Sequence, residues 1–201
     1  MLHPRDDHMP MAAAAVETRE EPLGELSRHA SIPNAFESSS VFDVHKVAGG
    51  IELCERLLNQ PYRKDYDSIE DPMDWPARFN VSNWTIISAF AAGTHIGGAI
   101  GAFDTPGVTM LEGRRDLLVL WDLRVSADAR RKGVASALFR AVEAWGRSKH
   151  CREIKIETQN TNVAACKFYG RQGCHLTEAK PYVYPGLSGD VQLIWRKAID
   201  G

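Results

Sequence analysis

The sequence predicts a mixed α+β fold in which helices cover a sheet that contains at least one parallel strand pair. Residues 117–125 (LLVLWDLRV) are nearly all apolar, as is typical of a strand buried on both faces. Residues 134–145 then carry apolar side chains at helical spacing, and residues 153–159 (EIKIETQ) alternate like a strand. A strand, a helix and a strand in this order form a right-handed crossover between parallel strands.

The first half of the chain predicts three further strands and one helix. Residues 41–44 alternate like a strand, and residues 51–58 (IELCERLL) have apolar residues at helical spacing, which predicts a helix. Residues 84–90 (WTIISAF) and 95–103 (HIGGAIGAF) are strand-like and joined by a short link that contains glycine. These last two strands are therefore expected to form an antiparallel hairpin.

The N-terminal segment is predicted to be flexible, and the rest of the chain is predicted to be folded. Residues 1–40 are rich in Ala, Glu, Ser and Pro, which predicts a flexible arm, and residues 41–201 are expected to form the domain. Near the C-terminus, Asn162 is well placed to cap a helix that passes through Tyr169, and residues 191–199 predict a closing strand.

Composition excludes several functional classes. With 44% hydrophobic residues, 25% charged residues and a formal net charge of -2, the chain has neither the charge of a general nucleic-acid binder nor the composition of a disordered protein. No stretch reaches transmembrane length and no secretion signal is recognisable, so we expect a cytoplasmic protein without membrane association. The four cysteines and seven histidines show no metal-binding spacing, which predicts reduced thiols and no metal.

A cationic turn precedes the predicted helix in residues 129–136 (ARRKGVAS). Arg130, Arg131 and Lys132 stand before Gly133, and the small residues Ala135 and Ser136 follow it. Cations at a helix N-terminus oppose the helix dipole, so a solvated basic helix start is the less favourable interpretation. Free backbone N–H groups, a glycine and positive charge together favour an anion site, such as one for a pyrophosphate. The spacing matches neither a P-loop nor a dinucleotide fingerprint.

The segment Arg130-x-x-Gly133-x-Ala135 resembles the acetyl-CoA motif of the GNAT superfamily of N-acetyltransferases, which also lies between a strand and a helix. From about Asp65 to Trp195 the chain is similar to streptothricin acetyltransferase-like members, on the segments LWDLRV, ETQNTNVAACKFY and QLIW. The resemblance implies a mostly antiparallel sheet with one central parallel strand pair, splayed to admit acetyl-CoA and flanked by helices. It does not extend to residues 1–40.

The resemblance also implies which residues hold acetyl-CoA. The backbone of residues 123–125 would pair with the pantetheine arm, and a backbone N–H there would polarise the acetyl carbonyl. The turn and the start of the helix would hold the pyrophosphate, and Asn162 matches a position that often hydrogen-bonds the cofactor. The implied cofactor-binding set is Leu123, Arg124, Val125, Arg130, Arg131, Lys132, Gly133, Val134, Ala135, Ser136 and Asn162.

Three residues are candidates for the chemistry. Tyr169 matches the family tyrosine that protonates the departing CoA thiolate, and an ordinary phenol is protonated at neutral pH. The alternative for Tyr169 is a core residue. Asp122 and Glu157 are candidates for the base that deprotonates the acceptor amine, because an acid within an apolar strand often has a raised pKa. The alternatives are an ion pair between Asp122 and Arg124, and a bracing role for Glu157 at the following loop.

An acidic strip at residues 65–74 (DYDSIEDPMD) carries five carboxylates and no cation, on a segment that in GNAT folds borders the acceptor cleft. It predicts attraction of a polycationic amine, although a solvated acidic loop is the simpler explanation. The predicted acceptor-binding residues are Asp65, Tyr66, Asp67 and Trp75, with Tyr182 and Tyr184 as further aromatic candidates.

We therefore expect an enzyme that transfers acetyl directly from acetyl-CoA to a primary amine of a small cationic molecule of the streptothricin type. The alternatives are a protein or peptide N-acetyltransferase and a module that senses acyl-CoA without turnover. The expected partners are the amine substrate and no nucleic acid, since a run of three consecutive basic residues occurs only in the one cationic turn. The oligomeric state is left open by the sequence, with a homodimer as one expectation because dimers are common in the family that the chain resembles.

Overall fold

A seven-stranded sheet and a separate two-stranded hairpin organise the computed structural model, which describes residues 15–181, 183 and 189–199. The strands are β1 (Glu17–Glu21), β2 (Ala35–Val47), β3 (Gly50–Asp65), β4 (Trp84–Ala91), β5 (Thr94–Phe103), β6 (Leu117–Val125), β7 (Glu153–Gln159), β8 (His175–Pro181) and β9 (Val191–Ala198). The α-helices are α1 (Leu26–Ala30), α2 (Trp75–Arg78), α3 (Val134–Ser148) and α4 (Val163–Arg171).

The large sheet has the order β1-β4-β5-β6-β7-β9-β8. Only the central neighbours β6 and β7 run parallel, and each other neighbouring pair described is antiparallel. α3 connects the parallel pair and buries Leu138, Phe139 and Val142 against the sheet. This confirms the expected α+β fold, with a mostly antiparallel sheet and one central parallel strand pair.

The predicted elements around the crossover are confirmed. β6 and β7 have the predicted bounds, and α3 and α4 follow their turns as expected. Asn162 caps α4, with its side-chain oxygen accepting a hydrogen bond from the Ala165 amide at 3.1 Å. The hairpin of β4 and β5 and the closing strand β9 are also present.

The helix predicted for residues 51–58 is wrong, because these residues belong to β3. β3 pairs antiparallel with β2, and Gly49 forms their turn with a φ of 102°. Ile51 and Leu53 are half-buried at alternate positions, whereas Leu57 is 78% exposed. The apolar residues fit a strand as well as a helix over such a short window, and the partner strand decides between them.

The structure differs from the expected flexible arm between residues 15 and 40, while residues 1–14 lie outside the described residues. β1 pairs with β4, and α1 buries Leu26 and His29. Trp145 donates from Nε1 to the Glu20 carboxylate at 2.9 Å, which fastens this segment to α3. The few apolar residues here are too widely spaced to form a periodic pattern, so average composition suggested disorder.

Two helical glycines give a test of the packing under α3. A Cβ at Gly146 would lie 2.5 Å from Leu118 Cδ2 in the buried core, whereas a Cβ at Gly170 in α4 would meet nothing within 4 Å. Alanine normally stabilises a helix over glycine by up to about 1 kcal/mol, but overpacking costs about 1–3 kcal/mol. We therefore expect Gly146→Ala to lower the free energy of unfolding in urea and Gly170→Ala to raise it. A gain in both variants would show that α3 has room beside β6.

Within the described residues, none of the helices has the length and apolar character needed to span a bilayer.

Candidate active site

The central parallel strands separate before either of them ends. β6 and β7 pair from Leu117 with Glu153 to Leu120 with Ile156, yet β6 continues to Val125 and β7 continues to Gln159. In the described part of the chain, the β7-facing edge of residues 121–125 therefore has no strand partner. Unpaired backbone N–H and C=O groups at such an edge are ready to bond an extended ligand.

A β-bulge in β6 coincides with this separation. Leu120 is opposite Gly101 of β5 and Asp122 is opposite Ile100, so Trp121 is an extra residue without a partner on β5. A bulge bends its strand and changes which way the following side chains face. Here it directs β6 away from β7 and creates the gap between them.

The cationic turn lies between the end of β6 and α3. Gly133 has a φ of 83° and Arg131 a φ of 63°, both in the left-handed region that L side chains rarely adopt. No side chain caps α3 at Gly133, so the first backbone N–H groups of this 15-residue helix have no partner within their own helix. The turn therefore provides a bound anion with hydrogen-bond donors from the backbone as well as with positive charge.

Arg130 has a different position from its two cationic neighbours in this turn. Its Nε donates to the Val125 carbonyl and its Nη2 donates to the Ala35 carbonyl, each at 3.2 Å. Its guanidinium thus bridges the end of β6 and the start of β2. All three cationic residues of the turn are exposed.

One cavity of about 930 Å³ connects the gap between the strands, the turn and α4. Most of the predicted site residues line it: Tyr66, Trp75, Asp122, Leu123, Arg124, Val125, Arg130, Arg131, Gly133, Val134, Ala135, Ser136, Glu157, Asn162 and Tyr169. Three predicted residues, Asp65, Asp67 and Lys132, do not line this cavity. The fold thus brings segments far apart in sequence to one cavity.

Tyr169 is buried on α4 and lies against Phe139 and Phe168, with ring centroids 6.2 and 5.2 Å away. Burial, with a smaller contribution from Tyr66, raises the pKa of Tyr169 well above that of an ordinary phenol. The hydroxyl group therefore remains protonated across the neutral range. A protonated phenol in the cavity is able to donate to an anionic leaving group.

Asp122 has an ion pair with Arg124 and not the raised pKa that an acid in an apolar strand suggests. Burial acts to raise its pKa, but the nearby His29 imidazole and the hydrogen-bonded Arg124 guanidinium outweigh burial and lower the pKa below the ordinary value. The Arg124 Nη2 atom lies 2.8 Å from Asp122 Oδ2, and the Asp122 side chain is only 5% exposed. A carboxylate stabilised in this way is a weak proton acceptor.

Glu157 has a more open position than Asp122. It is half-buried on β7, one residue beyond Ile156, where the pairing with β6 ends, and it lines the cavity. Its location at the separation of the two strands makes Glu157 an acidic residue of the cavity wall.

Most carboxylates of the acidic strip at residues 65–74 are engaged by other groups of the protein. Asp65 and Asp71 accept hydrogen bonds from the amides of Asp67 and Met73, and Glu70 pairs with Arg78. Asp67 lies 2.8 Å from Arg124 Nη2. The wall of the cavity here is therefore formed more by Tyr66, Ile69 and Trp75 than by free carboxylates, although Glu70 also lines it. Tyr182 and Tyr184 lie outside the described residues.

Sequence reasoning missed several lining residues. Trp121 at the bulge, Met110, and residues 33–40 at the start of β2 all line the cavity. Trp121 packs in an aromatic cluster with Trp75 and Trp84, at centroid distances of 6.3 and 4.9 Å. A bulge leaves no clear sequence pattern, and residues 33–40 fall in the segment expected to be flexible, so no signal marked them.

Comparisons with known proteins find relatives over most of the chain. The family model described as Acetyltransferase (GNAT) family matches residues 51–174. Streptothricin acetyltransferase of Escherichia coli is 30% identical over 165 residues, which cover 81% of this chain and 84% of that protein. Streptothricin acetyltransferase A of Bacillus subtilis (strain 168) is 28% identical over 76 residues, or 37% of this chain and 44% of that protein.

Solved structures share the fold. A nourseothricin acetyltransferase superposes with a TM-score of 0.71 at 20% identity, covering 92% of this chain and 99% of that chain. A candidate streptothricin acetyltransferase from Bacillus anthracis str. Ames, solved in complex with acetyl coenzyme A, has a TM-score of 0.72 at 24% identity and covers 94% and 100% of the two chains.

Proposed function

Because this chain belongs to the GNAT acetyltransferase family, we propose that it transfers acetyl from acetyl-CoA to a primary amine of a small cationic acceptor of the streptothricin type. The observation that supports this most strongly is the single cavity that joins the gap between β6 and β7, the Gly133 turn and Tyr169. The acceptor class rests on the relative that is 30% identical over 81% of this chain and is named for streptothricin.

The residues of the cavity fit acetyl-CoA, which supplies an activated acetyl group. The unpaired backbone of residues 123–125 suits the amide groups of a pantetheine arm. Backbone N–H groups at the start of α3, with Arg131 nearby, suit the pyrophosphate. Since the Asn162 oxygen is engaged in capping α4, its amide N–H groups are the part suited to the cofactor.

The acceptor amine must lose a proton before it attacks a carbonyl. Glu157 is better suited to take this proton, directly or through water, than Asp122. Asp122 is nearly fully buried and its pKa is lowered beside Arg124, whereas Glu157 is half-buried and lies on the cavity wall beside the end of the parallel pairing. Asp122 is therefore assigned an electrostatic and structural role beside the bulge.

Tyr169 is assigned the opposite proton transfer, to the departing thiolate. Its raised pKa keeps the phenol protonated at neutral pH, so its O–H is available to donate to the sulfur as negative charge develops there. A backbone N–H in residues 123–125 would polarise the acetyl carbonyl, because those groups have no strand partner on the β7 side.

Direct transfer to the amine is favoured over an acetylated cysteine. Burial raises the pKa of the Cys166 thiol to about 12, and its Sγ donates to the Gln159 carbonyl at 3.5 Å. Burial likewise raises the pKa of the Cys174 thiol to about 12. A nucleophilic cysteine needs a lowered pKa and access to its substrate, so neither thiol suits covalent catalysis.

A cytoplasmic location agrees with the four cysteines, all of which are free thiols. The expected homodimer stays a prediction, which light scattering of the purified protein decides.

The test is release of CoA thiol from acetyl-CoA with streptothricin, spermidine, an aminoglycoside and a lysine-containing peptide as separate acceptors. We expect release with streptothricin and little with the peptide. Release with the peptide alone would favour the protein N-acetyltransferase alternative. Acetyl-CoA binding without release by any acceptor would contradict the proposed acceptor class and favour a sensing role.

A further inference from the structure

A buried polar cluster lies behind the acceptor side of the cavity. It contains His29, Asn34, Asp67, Asp122 and Arg124, which come from α1 and the segment after it, the turn after β3, and β6. The side chains of His29, Asp122 and Arg124 are at most 5% exposed. The mechanism above uses none of these side chains for proton transfer.

Arg124 is the centre of this cluster. Its Nη2 lies 2.8 Å from Asp122 Oδ2 and 2.8 Å from Asp67 Oδ1, and its Nη1 donates to the Ile32 carbonyl at 3.0 Å. One guanidinium thus contacts three separate segments of the chain. Its planar, fixed array of donors holds those segments in a defined geometry, which a flexible lysine would not reproduce.

Asn34 and His29 complete the cluster. The Asn34 amide donates to Asp67 Oδ2 at 2.9 Å, and its side-chain Nδ2 donates to Asp122 Oδ2 at 3.4 Å. His29 Nε2 lies 3.5 Å from Asp122 Oδ1, and its ring packs on the backbone of Gly98, where a Cβ would lie 2.4 Å from Nδ1. The segment from His29 to Asn34 is therefore held against both β5 and β6.

The residues adjacent to this cluster form the wall of the cavity. Tyr66 and Ile69 lie on either side of Asp67, Pro33 and Ala35 lie on either side of Asn34, and all four line the cavity. The Arg124 side chain is only 1% exposed and meets Asp67 beside this wall, whereas the edge of β6 that suits the pantetheine arm offers backbone groups. Loss of the ion pair would release these wall residues from β6. Every group of the turn at Gly133 would remain in place.

We propose that Arg124 and Asp67 are positioning residues that fix the acceptor wall against β6, so that acceptor affinity depends on their ion pair and acetyl-CoA affinity does not. This rests on the proposed function, because it takes this side of the cavity as the acceptor side. The buried guanidinium needs its carboxylate partners, since an unpaired buried charge is strongly unfavourable and the local structure would rearrange to solvate it.

The test compares Asp67→Asn and Arg124→Lys with the wild-type protein in steady-state kinetics with acetyl-CoA and streptothricin. We expect the KM for streptothricin to rise about ten-fold in both variants, because a displaced wall misplaces the acceptor, while the KM for acetyl-CoA stays within about two-fold. Asp67→Glu keeps the charge and is expected to stay nearer to wild type. The matched control is Asp43→Asn, which removes an exposed ion pair with Arg56 on the hairpin.

Hydrogen exchange supplies a second measurement that does not need turnover. Amides in residues 29–36 and 65–70 should exchange faster in Asp67→Asn and Arg124→Lys, while those in residues 131–138 keep their wild-type rates. An unchanged streptothricin KM in an active enzyme, or an equal rise in both KM values, would overturn the proposal. If wild-type protein acetylates none of the acceptors, the proposed function fails separately, and unchanged exchange near Asp67 would then reject the positioning role.

Discussion

Replacing Gly133 with aspartate is expected to lower acetyl-CoA affinity by roughly 100-fold or more, because the new carboxylate would stand at the helix N-terminus that is to hold the pyrophosphate. Gly133 has a φ of 83°, so a side chain there also adds about 1 kcal/mol or more of backbone strain. Isothermal titration of acetyl-CoA into the variant measures the effect on binding directly.

Two further variants separate charge from strain. Gly133→Ala adds the strain without the charge and should lose much less affinity than Gly133→Asp. Gly93→Asp adds both at the turn between β4 and β5, where φ is 78° and a Cβ likewise meets nothing within 4 Å, and it should bind acetyl-CoA normally. Wild-type affinity in Gly133→Asp would rule out the turn as the pyrophosphate site.

Removing the hydroxyl group of Tyr169 is expected to lower kcat by about 100-fold, in the range typical of a lost general acid, with acetyl-CoA affinity nearly unchanged. Tyr169→Phe keeps the aromatic ring and therefore its packing on Phe139 and Phe168. Steady-state kinetics with the productive acceptor, combined with titration of acetyl-CoA, separates turnover from binding.

The matched control for this variant is Tyr62→Phe. Tyr62 is a partly buried phenol that donates to Asp190 at 3.2 Å, and it does not line the cavity. It should keep the wild-type kcat. If Tyr169→Phe also keeps it, Tyr169 is a core residue and the proton reaches the thiolate by another route.

The sequence predicted an element best where the periodicity of the element's own residues determines its structure. β6 is apolar along nearly its whole length and α3 has one apolar face, so both follow from periodicity alone. β3 does not, because its apolar residues depend on the neighbouring strand β2 for their environment. β1 and α1 were missed for a related reason, since their contacts are made with the distant strands β4 and β5 and with residues 72–74.

The two sides of the cavity differ in the same way. The turn at Gly133 is a local arrangement, in which glycine, cations and a helix start follow one another, and the sequence reveals it. The proposed acceptor side is assembled from residues near positions 34, 67 and 121, and only the folded chain brings these together. The pairing of Asp122 with Arg124 was one of two open alternatives, because spacing cannot decide whether a neighbouring cation is in contact.

The most direct test of the central claim is to incubate the protein with streptothricin and acetyl-CoA that carries a deuterated acetyl group, and to weigh both the antibiotic and the protein by mass spectrometry. We expect streptothricin to gain one deuterated acetyl group as an equal amount of CoA is released, while the mass of the protein stays unchanged. Unmodified streptothricin after acetyl-CoA has been consumed, or a stably acetylated protein, would contradict direct transfer to this acceptor.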